Sequence, residues 1–144
     1  MKYKLLDATT FEAYGTSLEE CFAHAALALL HVICKEKITS NEKKKIIISG
    51  KDRKQLLHSF LEKMLYLLEV GGFLTSEVNQ LRISGMPVVK GTRKFYNLTL
   101  HAEVYGDEAK NYAVDHPVTS IRSHTISETL TEDGKKFTAR IELT

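Results

Sequence analysis

The chain has 144 residues, the usual size of one domain, so residues 1–144 are expected to form a single domain. Hydrophobic residues make up 43% and charged residues 26%, which is ordinary for a globular protein. The formal net charge of +2 gives no argument for a nucleic-acid partner, and no apolar run is long enough for a membrane span or a signal peptide. A cytoplasmic protein with no membrane partner and no DNA partner is therefore expected.

The first half of the chain combines strand and helix patterns. Short strands are predicted at 2–6 and 10–14, and a helix at 17–34 carries an apolar stripe at steps of three and four. A polar connector at 35–45 leads to the β-branched strand Ile46–Ile48. A second, Leu-rich helix begins near Asp52 and ends at a pair of glycines, Gly71-Gly72.

The start of the first helix has a strong local signal. Gly15 ends the preceding strand, and two overlapping capping boxes follow, Thr16 with Glu19 and Ser17 with Glu20. A strand is thus predicted to pass into a helix with almost no loop.

The second half of the chain has the period of two that is typical of strands. Strands are predicted at 73–84 and 94–105, joined by a loop that contains Gly85, Pro87 and Gly91. The even positions of 94–105 are apolar and are expected to face inward. A last hairpin, 118–130 with 137–143, turns at Asp133-Gly134. The order ββαβα followed by four strands predicts an α+β fold, with two helices packed on mainly antiparallel sheet.

Cys21 and Cys34 are the only cysteines, and both fall on the first predicted helix. Thirteen residues of helix separate them by about 20 Å, too far for a disulfide. Two buried, reduced thiols are expected, as in a reducing compartment.

No motif of an independent enzyme is present, whether a phosphate-binding glycine loop, a His-Glu-x-x-His pair or a nucleophile elbow. His24 and His31 lie seven residues apart, about 10 Å along a helix, whereas metal ligands on one helix are spaced by three or four. His58 stands alone on the second helix. The basic loop Lys90–Lys94 lacks interleaved aromatics and is interpreted as a solvated hairpin tip, with contact to phosphate as the alternative.

The candidate metal ligands are acidic groups near the two ends of the chain. Asp7 lies in the turn between the first two strands, Glu142 lies in the last strand, and the carboxylate of Thr144 follows it. Calcium and magnesium need several oxygens from separate segments, which these groups supply if the last strand lies beside the first turn. In the competing interpretation, Asp7 only forms the turn and Glu142 only faces solvent.

The sequence resembles the archease family, the small accessory proteins of RtcB-type RNA ligases. The resemblance covers nearly the whole chain and is most specific over residues 1–77. Its motifs run as follows: Leu6-Asp7, Phe11 to Phe22 (FEAYGTSLEECF), Ala25-Ala26-Leu27-Ala28, Ile48 to Asp52 (ISGKD), Leu65 to Glu69 (LYLLE), Phe73 to Glu77 (FLTSE), Leu100 to Gly106 (LHAEVYG) and Ile121 to His124 (IRSH).

This resemblance implies the strand–helix–strand–strand module with an insertion that the family has. It implies an activator that promotes the guanylylation and turnover of an RtcB-type RNA ligase in tRNA splicing and RNA joining. The chemistry and any RNA contact then belong to the partner ligase, and the protein itself is no enzyme. The family also binds a divalent metal, calcium or magnesium, through an N-terminal His-Thr-Ala-Asp motif and acidic C-terminal groups.

The metal motif is altered here. Asp7-Ala8-Thr9-Thr10 stands where the family has His-Thr-Ala-Asp, and Glu142 is followed by Leu143-Thr144, where the family prefers an aspartate and one aliphatic residue. Loss of a negative ligand weakens a hard-ion site. The alternative function is therefore a divergent protein-binding module on the same scaffold that has lost the metal-dependent activity.

Overall fold

The structure is a computed structural model that describes residues 2–90, 93–114, 118 and 120–144, and for 86–90 and 93–96 it describes the backbone alone. The elements in chain order are β1 (Tyr3–Leu5), β2 (Thr10–Gly15), α1 (Leu18–Ile33), β3 (Glu42–Gly50), α2 (Arg53–Glu69), β4 (Phe73–Lys90), β5 (Arg93–Glu108), a 3-10 turn (Ala109–Asn111), β6 (Ile121–Thr131) and β7 (Gly134–Leu143).

The strands form two sheets in which all neighbours are antiparallel. One has the order β1-β2-β7-β6 and the other the order β3-β5-β4. Helix α1 packs on β2 and on β4, and α2 packs on β3 and on β6, so each helix contacts both sheets. The predicted α+β class and element order are confirmed.

The core lies between the helices and the two sheets. Phe22 of α1 and Phe60 of α2 are fully buried, and their rings stack with centroids 6.3 Å apart. Three of the even positions of β5 face inward as predicted, since Leu100, Ala102 and Val104 are all buried. Within the described residues, neither helix is long and apolar enough to cross a membrane.

Two predicted loop assignments are wrong. The predicted connector 35–45 is too long, because strand β3 begins at Glu42 rather than Ile46. Its backbone pairs with β5 as far as Glu42↔Gly106, and backbone hydrogen bonds of this kind do not depend on the side chains. Gly85 and Pro87 lie within β4 instead of in a loop. Because β4 pairs only with β5 among the described strands, it is a sheet edge, where a residue without an N–H is tolerated. Gly91 lies outside the described residues.

The last hairpin turns one residue earlier than predicted. Thr131 pairs with Gly134, so Glu132 and Asp133 form a two-residue loop and Gly134 is the first residue of β7. Gly134 has a φ of 123°, which explains the need for glycine at that position. This short loop fixes the register of the whole β6–β7 pair.

Both cysteines are free and buried. Cys21 lies on α1, whereas Cys34 is the residue that follows the helix. Burial raises the pKa of the Cys21 thiol to about 11, so this thiol stays protonated and unreactive at neutral pH.

The junction between β2 and α1 is as tight as the sequence predicts. Ser17 is the N-cap and its hydroxyl accepts a hydrogen bond from the Glu20 amide at 3.1 Å. The Glu20 carboxylate accepts from the Thr16 amide at 3.2 Å, one residue before the cap. A Cβ built on Gly15 would lie 2.4 Å from the Cys21 amide nitrogen, so only glycine fits beneath this first helical turn.

We expect Gly15→Ala to lower the free energy of unfolding by about 2–3 kcal/mol, because the new methyl group meets helix backbone that cannot rotate away. Urea unfolding followed by circular dichroism measures the change. Gly85→Ala is the matched control, since its Cβ would meet only the Leu98 side chain, at 3.1 Å. Equal stability losses in the two variants would contradict the tight junction.

A buried carboxylate ties together three segments at one end of β5. Asp107 is 8% exposed, and its carboxylate accepts from the Tyr112 hydroxyl at 2.7 Å and from the Glu108 amide at 2.8 Å. The Tyr112 oxygen in turn accepts from the Thr39 amide at 3.0 Å. The hydrogen bond from Tyr112, followed by that from Glu108, lowers the pKa of Asp107.

Tyr112→Phe is expected to raise the pKa of Asp107 and to destabilise the protein at pH 7. A lowered carboxyl pKa adds stability above the unfolded-state value of about 3.9, and this stability is lost as the pH falls through the folded-state value. The stability difference between wild type and Tyr112→Phe should therefore narrow as the pH falls from 7 through the folded-state pKa of Asp107, since the carboxyl then becomes protonated in both proteins. Urea midpoints at pH 7 and pH 3 test this, and a difference independent of pH would refute it.

Candidate functional site

The two candidate acidic segments meet because β2 and β7 are neighbours in the middle of their sheet. Thr10 pairs with Glu142, and the Leu143 amide donates to the Thr9 carbonyl at 2.7 Å. The turn that contains Asp7 and the end of the last strand therefore lie side by side. The structure confirms the proximity of these two segments that the metal prediction required.

Asp7 shapes the turn between β1 and β2. Its Oδ1 atom accepts from the Thr9 amide at 2.8 Å and from the Thr9 hydroxyl at 3.2 Å. The Leu6 amide closes the same turn by donating to the Thr10 carbonyl at 2.9 Å. The hydrogen bond from the Thr9 amide is the main cause of a lowered pKa for Asp7, so the exposed carboxyl is ionised at neutral pH.

Glu142 and Thr144 lie on the last strand and just after it. Glu142 is half-buried between two buried neighbours, Ile141 and Leu143, so its side chain points to the opposite face of the sheet. Thr144 is held beside β6, where its amide donates to the Ser120 carbonyl at 3.0 Å and its hydroxyl lies 2.5 Å from the Ser120 hydroxyl.

The side chains at this end of the sheet are too few for a hard-ion centre by themselves. Asp7 and Glu142 supply two carboxylates, whereas calcium takes six to eight oxygen ligands. In the part of the chain that the structure describes, no group of three or more His, Cys, Asp and Glu is placed to hold a metal ion. Asp7, Glu142 and Thr144 remain predicted ligands.

The histidines on α1 bond to separate elements. His24 Nδ1 lies 2.6 Å from the Tyr14 carbonyl oxygen, and His31 Nδ1 lies 2.6 Å from the Tyr3 hydroxyl. These contacts hold β2 and β1 against the helix. They agree with the interpretation that His24 and His31 do not share a metal ion.

His58 and His124 form a cluster that the sequence did not reveal. Their ring centroids lie 4.9 Å apart, although the first residue lies on α2 and the second on β6. The sequence places His58 on a helix and His124 on a strand, but it does not show that α2 crosses β6. This pair lies in a shallow pocket of about 310 Å³.

Two basic side chains share the carboxylate of Glu128 on β6. Arg53 pairs with Glu128 at 3.1 Å, and Lys135 pairs with the same carboxylate at 3.3 Å. The hydrogen bond from Arg53, followed by that from Lys135, lowers the pKa of Glu128. The loop Lys90–Lys94 contains residues 91 and 92, which lie outside the described residues.

Residues 3–141 match the model of the Archease protein family (MTH1598/TM1083). The chain belongs to the archease family. This assignment confirms the resemblance drawn from the motifs.

Two relatives and one solved structure illustrate the similarity. Protein archease of Methanosarcina barkeri is 28% identical over 146 residues, covering 99% of this chain and 96% of the relative. Protein archease of Pyrococcus furiosus is 30% identical over 125 residues, covering 85% and 82%. The solution structure of Methanobacterium thermoautotrophicum protein 1598 has a TM-score of 0.64 at 24% identity, covering 99% of this chain and 96% of that one, and it supports the fold.

Proposed function

We propose that this protein is an accessory factor that activates an RtcB-type RNA ligase, promoting its guanylylation and turnover in tRNA splicing and RNA joining. Membership of the archease family over residues 3–141 carries the proposal. The ligase performs the chemistry in the cytoplasm and makes any RNA contact, and the protein acts by binding the ligase rather than as an enzyme.

The surface proposed for the ligase is the end of the four-stranded sheet where β2 and β7 meet. The altered motif turn at Asp7–Thr10 and the last strand up to Leu143 lie together there. The helices cover the other face of these strands, where Phe11 and Ile141 are buried. This leaves the polar face, with exposed Arg140, for a protein partner.

The proposal predicts that the purified protein increases the rate of ligase–GMP formation. Combining it with its RtcB-type ligase, GTP and manganese, and following ligase–GMP with time, measures this rate. Asp7→Ala should reduce the stimulation because it removes the carboxylate that shapes the β1–β2 turn. Wild-type protein that leaves both the rate and the turnover of the ligase unchanged would refute an activator role.

Asp133→Ala is the matched control for Asp7→Ala. Asp133 is also an exposed turn aspartate, but its turn precedes β7, whereas Glu142 lies at the other end of that strand. Eight residues of strand separate the two ends by about 26 Å. Equal losses for Asp7→Ala and Asp133→Ala would argue against the sheet end as the ligase surface.

A divergent binding module is the second candidate function. One specific observation favours it: the Asp7 carboxylate is already committed to the Thr9 amide and hydroxyl, and the motif aspartate of the family is missing. Such a module still binds a protein partner. It differs from the activator in binding the ligase without changing ligase–GMP formation.

Calcium and magnesium titrations by calorimetry separate the two candidates further. We expect a dissociation constant of roughly 10⁻³ M or weaker, because affinity follows the number and charge of the ligands and the predicted set has only three carboxylates, two from side chains and one from Thr144. Glu142→Gln should weaken binding further, since it removes one of these charges. Micromolar calcium binding that Asp7→Ala abolishes would show a complete metal site and rule out the divergent module.

A further inference from the structure

The pair His58 and His124 has the separation expected of two ligands of one metal ion. Their ring centroids lie 4.9 Å apart, with the ring planes inclined by 35°. Two imidazoles bound to one tetrahedral ion at the usual Zn–N length of about 2.0–2.1 Å place their centroids about 5 Å apart.

One nitrogen of this pair has no partner. His58 Nδ1 is buried and makes no hydrogen bond, the one side-chain nitrogen or oxygen of the described residues in that condition. A buried polar atom left unpaired is costly, and a bound water or metal ion is a common way to satisfy it.

The other nitrogen of His58 is already engaged. His58 Nε2 lies 3.5 Å from Glu62 Oε1, one helical turn along α2. A neighbouring carboxylate favours the tautomer with the proton on Nε2, which leaves the lone pair on Nδ1. A zinc-binding imidazole usually donates its second ring N–H to a carboxylate in this way.

His124 also stays in the form that binds metals. It is half-buried beside α2, and burial, followed by its electrostatic interactions with His58 and Lys54, lowers its pKa. The ring is therefore neutral at neutral pH, as a metal-binding imidazole must be. Asp52 lines the same pocket and supplies negative charge nearby.

We infer that His58 and His124 form a two-histidine site for a borderline transition-metal cation, zinc(II), with water in the remaining positions. Imidazole nitrogen suits zinc, copper and nickel, whereas calcium and magnesium require oxygen. This site is separate from the oxygen donors considered above, because His124 pairs with the buried Ile141 and so faces the helices, while Glu142 faces the other side of the sheet. The inference does not rest on the proposed ligase activation.

Calorimetric titration of the full chain with zinc chloride, after treatment with a chelator, tests the site. We expect one zinc ion per chain. Outer-partner changes typically weaken metal binding 10–100-fold, so Glu62→Gln should cost about tenfold, and His58→Gln or His124→Gln at least about 100-fold. His101→Gln is the matched control, since His101 is exposed on β5, and it should bind like wild type.

A second measurement needs no substitution. Zinc should shift the imidazole resonances of His58 and His124 in the NMR spectrum of the wild-type protein and leave those of His24, His31 and His101 in place. The proposal fails if zinc does not bind, if it binds without moving both resonances, or if His101→Gln loses as much affinity as His124→Gln.

Discussion

The pairing of β2 with β7 is the constraint on which the rest of the structure depends. These strands come from opposite ends of the chain and form the centre of the four-stranded sheet, with Phe11 opposite Ile141 and Ala13 opposite Ala139. All four side chains are fully buried beneath the helices. Pairing strands that are far apart in sequence costs loop-closure entropy before any contact between them forms. The free energy gained by burying these residues has to offset that cost. This pairing brings the turn at Asp7 beside the end of β7, where the Leu143 amide donates to the Thr9 carbonyl.

Local signals predicted the elements well, and the reason is that each residue type acts within its own turn or strand. Ser17 caps α1 and Asp52 caps α2 through bonds to amides three residues ahead, and Gly72 has the positive φ, 60°, that ends the second helix region. The alternation of apolar and polar residues in β5 predicts which of its side chains face inward, because only one face of the strand is buried. Where prediction failed, the deciding contact was distant: β5 holds Lys43–Lys45 and Pro87 in strands that their own side chains disfavour.

The residues of the candidate site show the same difference between local signals and distant contacts. That Asp7 forms the turn follows from its own neighbour Thr9, and the sequence predicted it. The meeting of Asp7 with the last strand depended on sheet order, which the sequence suggested only as a possibility. His58 and His124 are separated by 65 intervening residues and belong to a helix and a strand of different periodicity. Nothing in either element predicts that α2 crosses β6 where these rings meet.

Register in the last hairpin decides which chemistry each face of the sheet carries. The two-residue loop sets Thr131 against Gly134, and counting back from it places His124 opposite Ile141 and Ser123 opposite Glu142. A shift by one residue would turn His124 away from α2 and bring Ser123 against it. Beyond Ser123 a bulge lets Ile121, rather than Arg122, lie opposite the buried Leu143. The short loop thus keeps the His124 imidazole on the helix side of the β6–β7 pair and the Glu142 carboxylate on the opposite face.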